Sequence, residues 1–282
     1  MIDETVEEIR EMQTHSSSVV AVRTARALGE LLDREFASVA EYERDLERNS
    51  SALRRANPSH ASLWSTQRRI VAAVEDRDAG TVEEAKAATA EIIDRIVEEV
   101  ENAKATAAKN LARRLEEADA VLTHDYSTTV LEAIELAVGD HDLDVYVTES
   151  RPRFQGRRTA RELADVDGTS VTLIVDNGGG HYLSECDRVL VGMDCIVGDT
   201  LYNRVGTYPL AATAADAGVP FVVAGASTKL IDGGFRFEND FRSASEVLLE
   251  PTEAFDIANP AYDATPTRLV DRVITDDGAI EP

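Results

Sequence analysis

Five short apolar runs in the second half of the chain each end on residues able to do chemistry. The first leads into Thr123-His124-Asp125-Tyr126-Ser127, the second into Glu149-Ser150-Arg151-Pro152, and the third into Asp176-Asn177-Gly178-Gly179-Gly180. The fourth closes on Gly192-Met193-Asp194, and the fifth on Gly225 with Lys229 close behind. Several carboxylates, Asp125 and Asp194 among them, therefore converge on one rim with an arginine and a lysine. Arg151, Lys229, glycine amides and the starts of helices all favour anions. Serine hydroxyls such as Ser127 add neutral hydrogen-bonding partners. The ligand chemistry these residues suit is a phosphorylated polyol.

Each feature also has a plain structural reading. Asp176-Asn177-Gly178-Gly179-Gly180 is neither G-x-G-x-x-G nor a P-loop, and a bare strand-to-helix turn would use the same residues. Asp194 could be a helix N-cap. Arg151-Pro152-Arg153 with Arg157-Arg158 could be a solvated helix face. His124 and Asp125 are neighbours, and neighbours usually point in different directions. No Ser-His-Asp order and no His/Cys metal spacing stands out, so no metal and no cofactor is expected. Cys186 and Cys195 read as buried small hydrophobes.

The elements that must position these residues follow from periodicity. Residues 1–118 read as helical. The clearest stretch is 81–118, where Val82, Ala85, Ala88, Ile92, Ile96, Val100, Ala103, Ala107, Leu111 and Leu115 keep steps of three and four. Shorter amphipathic segments cover 2–12, 18–36, 38–56 and 62–75, punctuated by Asn57-Pro58 and Asp78-Ala79-Gly80. After residue 118, β-rich runs cover 120–123, 143–148, 171–175, 188–191 and 221–224. Helical patterning lies between most of them, at 128–137, 157–164 and 206–217. Strand alternating with helix implies a parallel sheet covered on both faces. The expected fold class is therefore α/β: a helical N-terminal domain (1–118) ending in a long connecting helix, then a Rossmann-like domain (119–282). In such sheets ligands bind beyond the carboxyl ends of the strands.

Composition narrows the function classes. The chain has 282 residues, 53 Asp+Glu and 29 Lys+Arg, for a net charge of −24. That charge argues against nucleic acid as a partner, because phosphates are repelled. Only Lys86, Lys104, Lys109 and Lys229 are lysines among the basic residues. An acidic, lysine-poor surface suits a halophilic source, where salt screens carboxylate repulsion. No apolar run approaches the ~20 residues of a membrane span, and Met1-Ile2-Asp3-Glu4 lacks a signal-peptide core, so a cytoplasmic protein is expected.

Three motifs carry a resemblance: Arg151-Pro152-Arg153-Phe154-Gln155-Gly156-Arg157-Arg158, Val191-Gly192-Met193-Asp194 and Tyr202-Asn203-Arg204-Val205-Gly206-Thr207. With the closing stretches at 259–266 and 274–278, they resemble the family of the alpha, beta and delta subunits of translation initiation factor 2B. The enzyme relatives of that family are ribose-1,5-bisphosphate isomerase and methylthioribose-1-phosphate isomerase. The resemblance implies an archaeal-type protein with the two-domain fold just described, assembled as a dimer or hexamer. It also implies a phosphorylated sugar or nucleotide ligand, and a translation initiation factor 2 subunit as a candidate partner.

Residue by residue, the resemblance puts Asp194 at the enzymes' catalytic aspartate and Asp125 at their cysteine. The Arg-Gly-Ala phosphate loop of the enzymes falls on His15-Ser16-Ser17-Ser18, so Ser16, Ser17 and Ser18 are candidate ligand contacts. A phosphate-binding arginine is replaced by Asn57, and the Asn-Lys pair by Asn203-Arg204. Gln155 and Lys229 fall on ligand-contacting positions. With the cysteine and two phosphate contacts replaced, the first expectation is a non-catalytic or weakly catalytic phospho-metabolite-binding assembly protein. The alternative is an aldose–ketose isomerase converting ribose 1,5-bisphosphate to ribulose 1,5-bisphosphate with Asp194 and Asp125.

Overall fold

The computed structural model describes residues 5–7, 17–139, 141–250, 252 and 254–282. The chain divides into two compact units: Met1–Ala103 with Thr228–Phe237, and Lys104–Ser227 with Glu238–Pro282.

The first unit is helical: α1 (Ser17–Leu28), α2 (Val39–Ala56), α3 (Ala61–Glu75) and the first part of α4 (Val82–Ala112). Local chemistry starts these helices. Ser38 Oγ accepts from the Glu41 amide at 3.3 Å, and Glu41 reaches back to accept from the Ala37 amide at 2.8 Å. Thr81 and Glu84 make the same reciprocal cap on α4, at 3.2 and 3.1 Å. The apolar stripes of the helices meet in a core of Leu28, Leu31, Tyr42, Leu46, Leu53, Ile70, Ile92 and Ile96, each 0–1 % exposed. Tyr42 satisfies its buried hydroxyl by donating to Thr89 Oγ1 at 2.8 Å.

The segment expected at 18–36 is helical only to Leu28, and a 3-10 turn, Gly29–Asp33, follows. The long helix is shorter than its pattern. It ends at Ala112, 31 residues or about 46 Å from its start. Tight turns then carry Leu115 and Ala118 into the core of the second unit, where both are fully buried. The spacing of three and four persists there because a tight turn buries the same face as a helix.

The second unit is built on a seven-stranded sheet. Its strands are β1 (Ala120–His124), β2 (Leu143–Thr148), β3 (Thr169–Ile174), β4 (Arg188–Gly192), β7 (Phe221–Ala224), β10 (Arg272–Thr275) and β11 (Gly278–Ile280), in the order β11-β10-β7-β4-β1-β2-β3. All pairings are parallel except β10 with β11. Connecting helices include α5 (Thr128–Ala137), α6 (Gln155–Ala164), the single turn α7 (Gly179–Tyr182) and α8 (Thr207–Ala217). The strand order reverses at β1 and β4, which makes the carboxyl ends of these two strands the topological switch point.

Two features depart from the sequence expectation. β3 is an edge strand with Ser170, Thr172 and Leu173 exposed, so it is not covered on both faces. An antiparallel group of β5 (Cys195–Val197), β6 (Thr200–Arg204) and β9 (Tyr262–Pro266) also stands on the carboxyl side of β4. These strands are only three to five residues long, too short to show a period, which hid them from pattern reading. A two-residue strand, β8 (Leu230–Ile231), belongs to the first unit.

Candidate functional site

The switch point places Asp125 directly after β1 and Asp194 two residues after β4. Asp194 is not a helix N-cap: the chain passes from it straight into β5, and its amide donates to Tyr202 O at 3.2 Å. The antiparallel group then supplies the cation. Arg204, the last residue of β6, sets its Nε 3.4 Å from Asp125 Oδ2 and 3.9 Å from Asp194 Oδ2. Its guanidinium lies over the Tyr262 ring at 4.5 Å. The three charged side chains are only 13–26 % exposed.

The turn around Asp125 is held in an unusual backbone. Asp125, Ser150, Arg153 and Phe154 all have positive φ, between 55° and 77°. Left-handed residues other than glycine cost energy and cluster where geometry is over-determined. Here hydrogen bonds supply the constraint. The Asp125 amide donates to Ser150 Oγ at 2.6 Å, and Thr159 Oγ1 donates to the Asp125 carbonyl at 2.7 Å. Asp176, after β3, accepts from the Ser150 and Arg151 amides at 2.6 and 2.8 Å. Asp176-Asn177-Gly178 is thus a short 3-10 turn whose aspartate clasps the neighbouring loop. Gly156 is obligatory beside it, since a Cβ there would sit 1.7 Å from the Thr148 carbonyl oxygen.

His124 is a support for this loop. Its Nε2 contacts the Val205 carbonyl at 3.0 Å and its Nδ1 contacts Thr148 Oγ1 at 2.7 Å. A carbonyl only accepts, so Nε2 carries a proton and donates it to Val205. Gly206, with φ 109°, passes over this ring so closely that a Cβ would lie 2.7 Å from it.

Burial pushes the Asp125 carboxyl above its ordinary value, against the opposing pull of Arg204 and His124, and Asp194 adds to the rise. Burial works against the charge on Arg204, but Asp194 and Asp125 outweigh it and hold the guanidinium protonated more firmly than usual. Burial also pushes the Tyr262 phenol up to about 12, with Asp194 adding to the effect. Arg153 is lowered by burial and by the nearby Arg204 and Arg242.

A narrow cleft of about 10 Å³ opens here, lined by Asp125, Ser150, Arg151, Pro152, Arg153, Arg204, Val205 and Ala261. Arg151 and Arg204 bring positive charge to it, as the sequence suggested. Arg151 also donates through Nη2 to the Glu246 carbonyl at 2.8 Å. The remaining expected residues take other places. Ser127 caps α5, accepting from the Val130 amide at 3.3 Å. Gln155 is the first residue of α6 and half-buried. Asn203 is buried, and its side-chain amide donates to Thr207 Oγ1 at 3.0 Å. Ser17, Ser18 and Lys229 belong to the helical unit, and Ser16 lies outside the described residues.

The solvated-face reading fits Arg157 and Arg158. They stack on Phe154 and Tyr126 and pair with Glu149 and Glu162. Three side chains of the rim were not singled out from sequence: Arg153, Tyr262 and Ser150. Tyr262 was within reach, since it lies in the closing motif. Cys186 and Cys195 are both buried, and burial pushes the Cys186 thiol up to about 12. Among the described residues no group of three His, Cys, Asp or Glu side chains could hold a metal ion, and no helix is long and apolar enough to cross a membrane.

The chain is thus an α/β protein whose parallel sheet gathers two carboxylates, one shared guanidinium and left-handed backbone at its switch point. The chain belongs to the Initiation factor 2 subunit family, which matches it over residues 13–282. It is 33 % identical over 296 residues to the ribose 1,5-bisphosphate isomerase of Haloterrigena turkmenica, covering 99 % of this chain and 89 % of that one. The ribose 1,5-bisphosphate isomerase of Haloferax volcanii is also 33 % identical, over 289 residues, covering 99 % and 88 %. Among solved structures, the translation initiation factor eIF-2B of Pyrococcus horikoshii superposes with a TM-score of 0.81 at 26 % identity, covering 100 % of this chain and 97 % of that one.

Proposed function

We propose that this protein is a sugar-phosphate aldose–ketose isomerase acting on ribose 1,5-bisphosphate, with Asp125 and Asp194 as its proton-transfer residues. The observation that carries the reading is the convergence of these two carboxylates on Arg204 Nε, at 3.4 and 3.9 Å, with Asp125 pushed up by burial. Two carboxyl groups whose environments differ can divide acid and base roles. Full-length relatives named as isomerases favour this reading over the non-catalytic one expected first from the sequence.

The chemistry can be written so that protons balance. Asp125, kept protonated more readily than an ordinary aspartate, gives its proton to the ring oxygen as the furanose opens. Asp194, the carboxylate 3.9 Å from Arg204 Nε, removes the proton from C2, and a C1–C2 enol phosphate results. Return of a proton to C1 and loss of the O2 proton then give the ketose. Arg204 neutralises charge as it moves between the carboxylates. Arg151 and Arg153, on the same cleft, suit a phosphoryl group.

A second reading stays in view because Arg204 already satisfies both carboxylates within the protein. In that reading the cleft senses a phosphorylated sugar and the protein acts by assembly, first with a second copy of itself and then with a translation initiation factor 2 subunit. Phosphorus NMR with α-ribose 1,5-bisphosphate in molar KCl separates the two. Conversion to the ketose that is lost in Asp194→Asn supports the isomerase. Broadened phosphate signals without conversion overturn it in favour of sensing. The −24 charge and the isomerases of Haloterrigena turkmenica and Haloferax volcanii also support adaptation to high salt.

A further inference from the structure

The helical unit holds a cleft of about 380 Å³ where α2 ends and α3 begins, lined on one side by residues 234–236. Arg54, Arg55, Arg68 and Arg236 line it, together with Trp64 and Phe235. Four guanidinium groups on one cleft run against the composition of a chain with 53 acidic and 29 basic residues. Among the described residues a carboxylate accounts for one of them alone. Arg54 pairs with Glu47 at 2.7 Å, but Arg55 donates to Ser51 Oγ at 2.6 Å. Arg68 lies over the Trp64 ring at 4.8 Å, and Trp64 meets Phe235 edge-on at 5.5 Å. Gly234, with φ 76°, lets the loop pass so closely that a Cβ would lie 3.2 Å from Arg68 Nη1. The aromatic pair and this loop therefore hold Arg68 in place before any ligand arrives.

We infer that this cleft binds a small molecule carrying an oligophosphate chain. Planar guanidinium forks match phosphoryl oxygens two at a time, and several forks on one wall match linked phosphoryl groups better than a single one. The volume lies within the ~300–1,000 Å³ of small-molecule sites. None of these residues takes part in the isomerase reading, so the inference does not depend on it.

The chain's single tryptophan is Trp64, so its emission reports on this cleft alone. The test is titration with inorganic pyrophosphate in KCl at constant ionic strength, read by calorimetry and by Trp64 emission together. The expected result is a saturable heat with a matching change in emission. Arg68→Gln and Arg236→Gln should each weaken binding about tenfold or more, the scale of one lost charge-assisted contact. Both side chains are exposed, and an unchanged melting temperature will show that the variants fold. Asp194→Asn should bind pyrophosphate as the parent does. Absence of saturable heat overturns the inference. So does heat that leaves Trp64 emission unchanged, or heat lost in Asp194→Asn but kept in both arginine variants.

Discussion

Arg204 Nε lies 3.4 Å from Asp125 Oδ2, although the two residues end strands of different sheets. The cation comes from the antiparallel group and the carboxylate from the parallel sheet. Their meeting point is what the positive-φ turn at Asp125 aims at, and it sets the first prediction. Arg204→Ala strands two carboxylates that are 13 and 26 % exposed. Breaking a fully buried pair costs about 3–5 kcal/mol; partial exposure discounts this to roughly 1–3. A fall of several degrees in melting temperature is expected. Arg204→Lys should recover most of the stability and, in the isomerase reading, more activity than alanine. Equal losses in both variants would contradict the charge-sharing role.

Asp194→Asn keeps the shape of the side chain and removes its basicity. Turnover of ribose 1,5-bisphosphate should fall by about 10²–10⁴, the usual weight of a positioned base. Quantifying ribulose 1,5-bisphosphate by phosphorus NMR tests this, and turnover within threefold of the parent would remove Asp194 from the mechanism.

The Asp125 carboxyl carries a pH signature of defined sign. Its pKa in the folded protein is raised, so the folded state holds this proton more tightly than the unfolded chain does. Its contribution to stability is therefore fully present below the unfolded value, about 3.9, and is lost as pH climbs through the folded value. Asp125→Asn should remove that slope and leave the protein at least as stable as the parent at neutral pH, while abolishing activity. Melting curves across pH, run for both proteins, would contradict this if the variant were less stable at every pH.

Gly156→Ala tests the loop itself. A methyl group 1.7 Å from the Thr148 carbonyl oxygen forces the start of α6 away from β2. The cost of such overpacking is about 1–3 kcal/mol or more, or roughly 2–12 °C in a chain of this length. A melting temperature unchanged within a degree would show that the turn can relax.

The salt dependence follows from charge. With −24 on 282 residues, self-repulsion weakens the fold until counterions screen it. The melting temperature should rise steadily from 0.1 M toward molar KCl. A flat series would rule out high-salt adaptation.

Sequence periodicity defined the regular elements well where burial enforced them. The strands at 143–148 and 221–224 and the helix at 128–137 begin and end where the pattern places them. The helix packs along one face and so keeps its period, while the strand at 221–224 is buried at every position and reads as an unbroken apolar run. The pattern overran at the end of α4, where Leu115 and Ala118 are buried without being helical. It missed β5, β6 and β9, because strands of three to five residues are too short to show a period.

The same division holds at the site. Asp125 and Asp194 were legible because both follow apolar runs, and ligands of parallel sheets gather at strand ends. Their shared partner was legible only through resemblance, as one residue of an Asn-Arg pair. Of that pair, the structure turns Asn203 inward to Thr207 and sends Arg204 to the carboxylates, because neighbours on a strand face opposite ways. Residue types and their order along the chain thus determined the sheet, the helices and the two acids. Which cation reaches those acids, which of them is buried, and which serine supports the turn were decided by contacts between residues far apart in sequence. Burial and charge pairing are properties of that packing and have no local period to read.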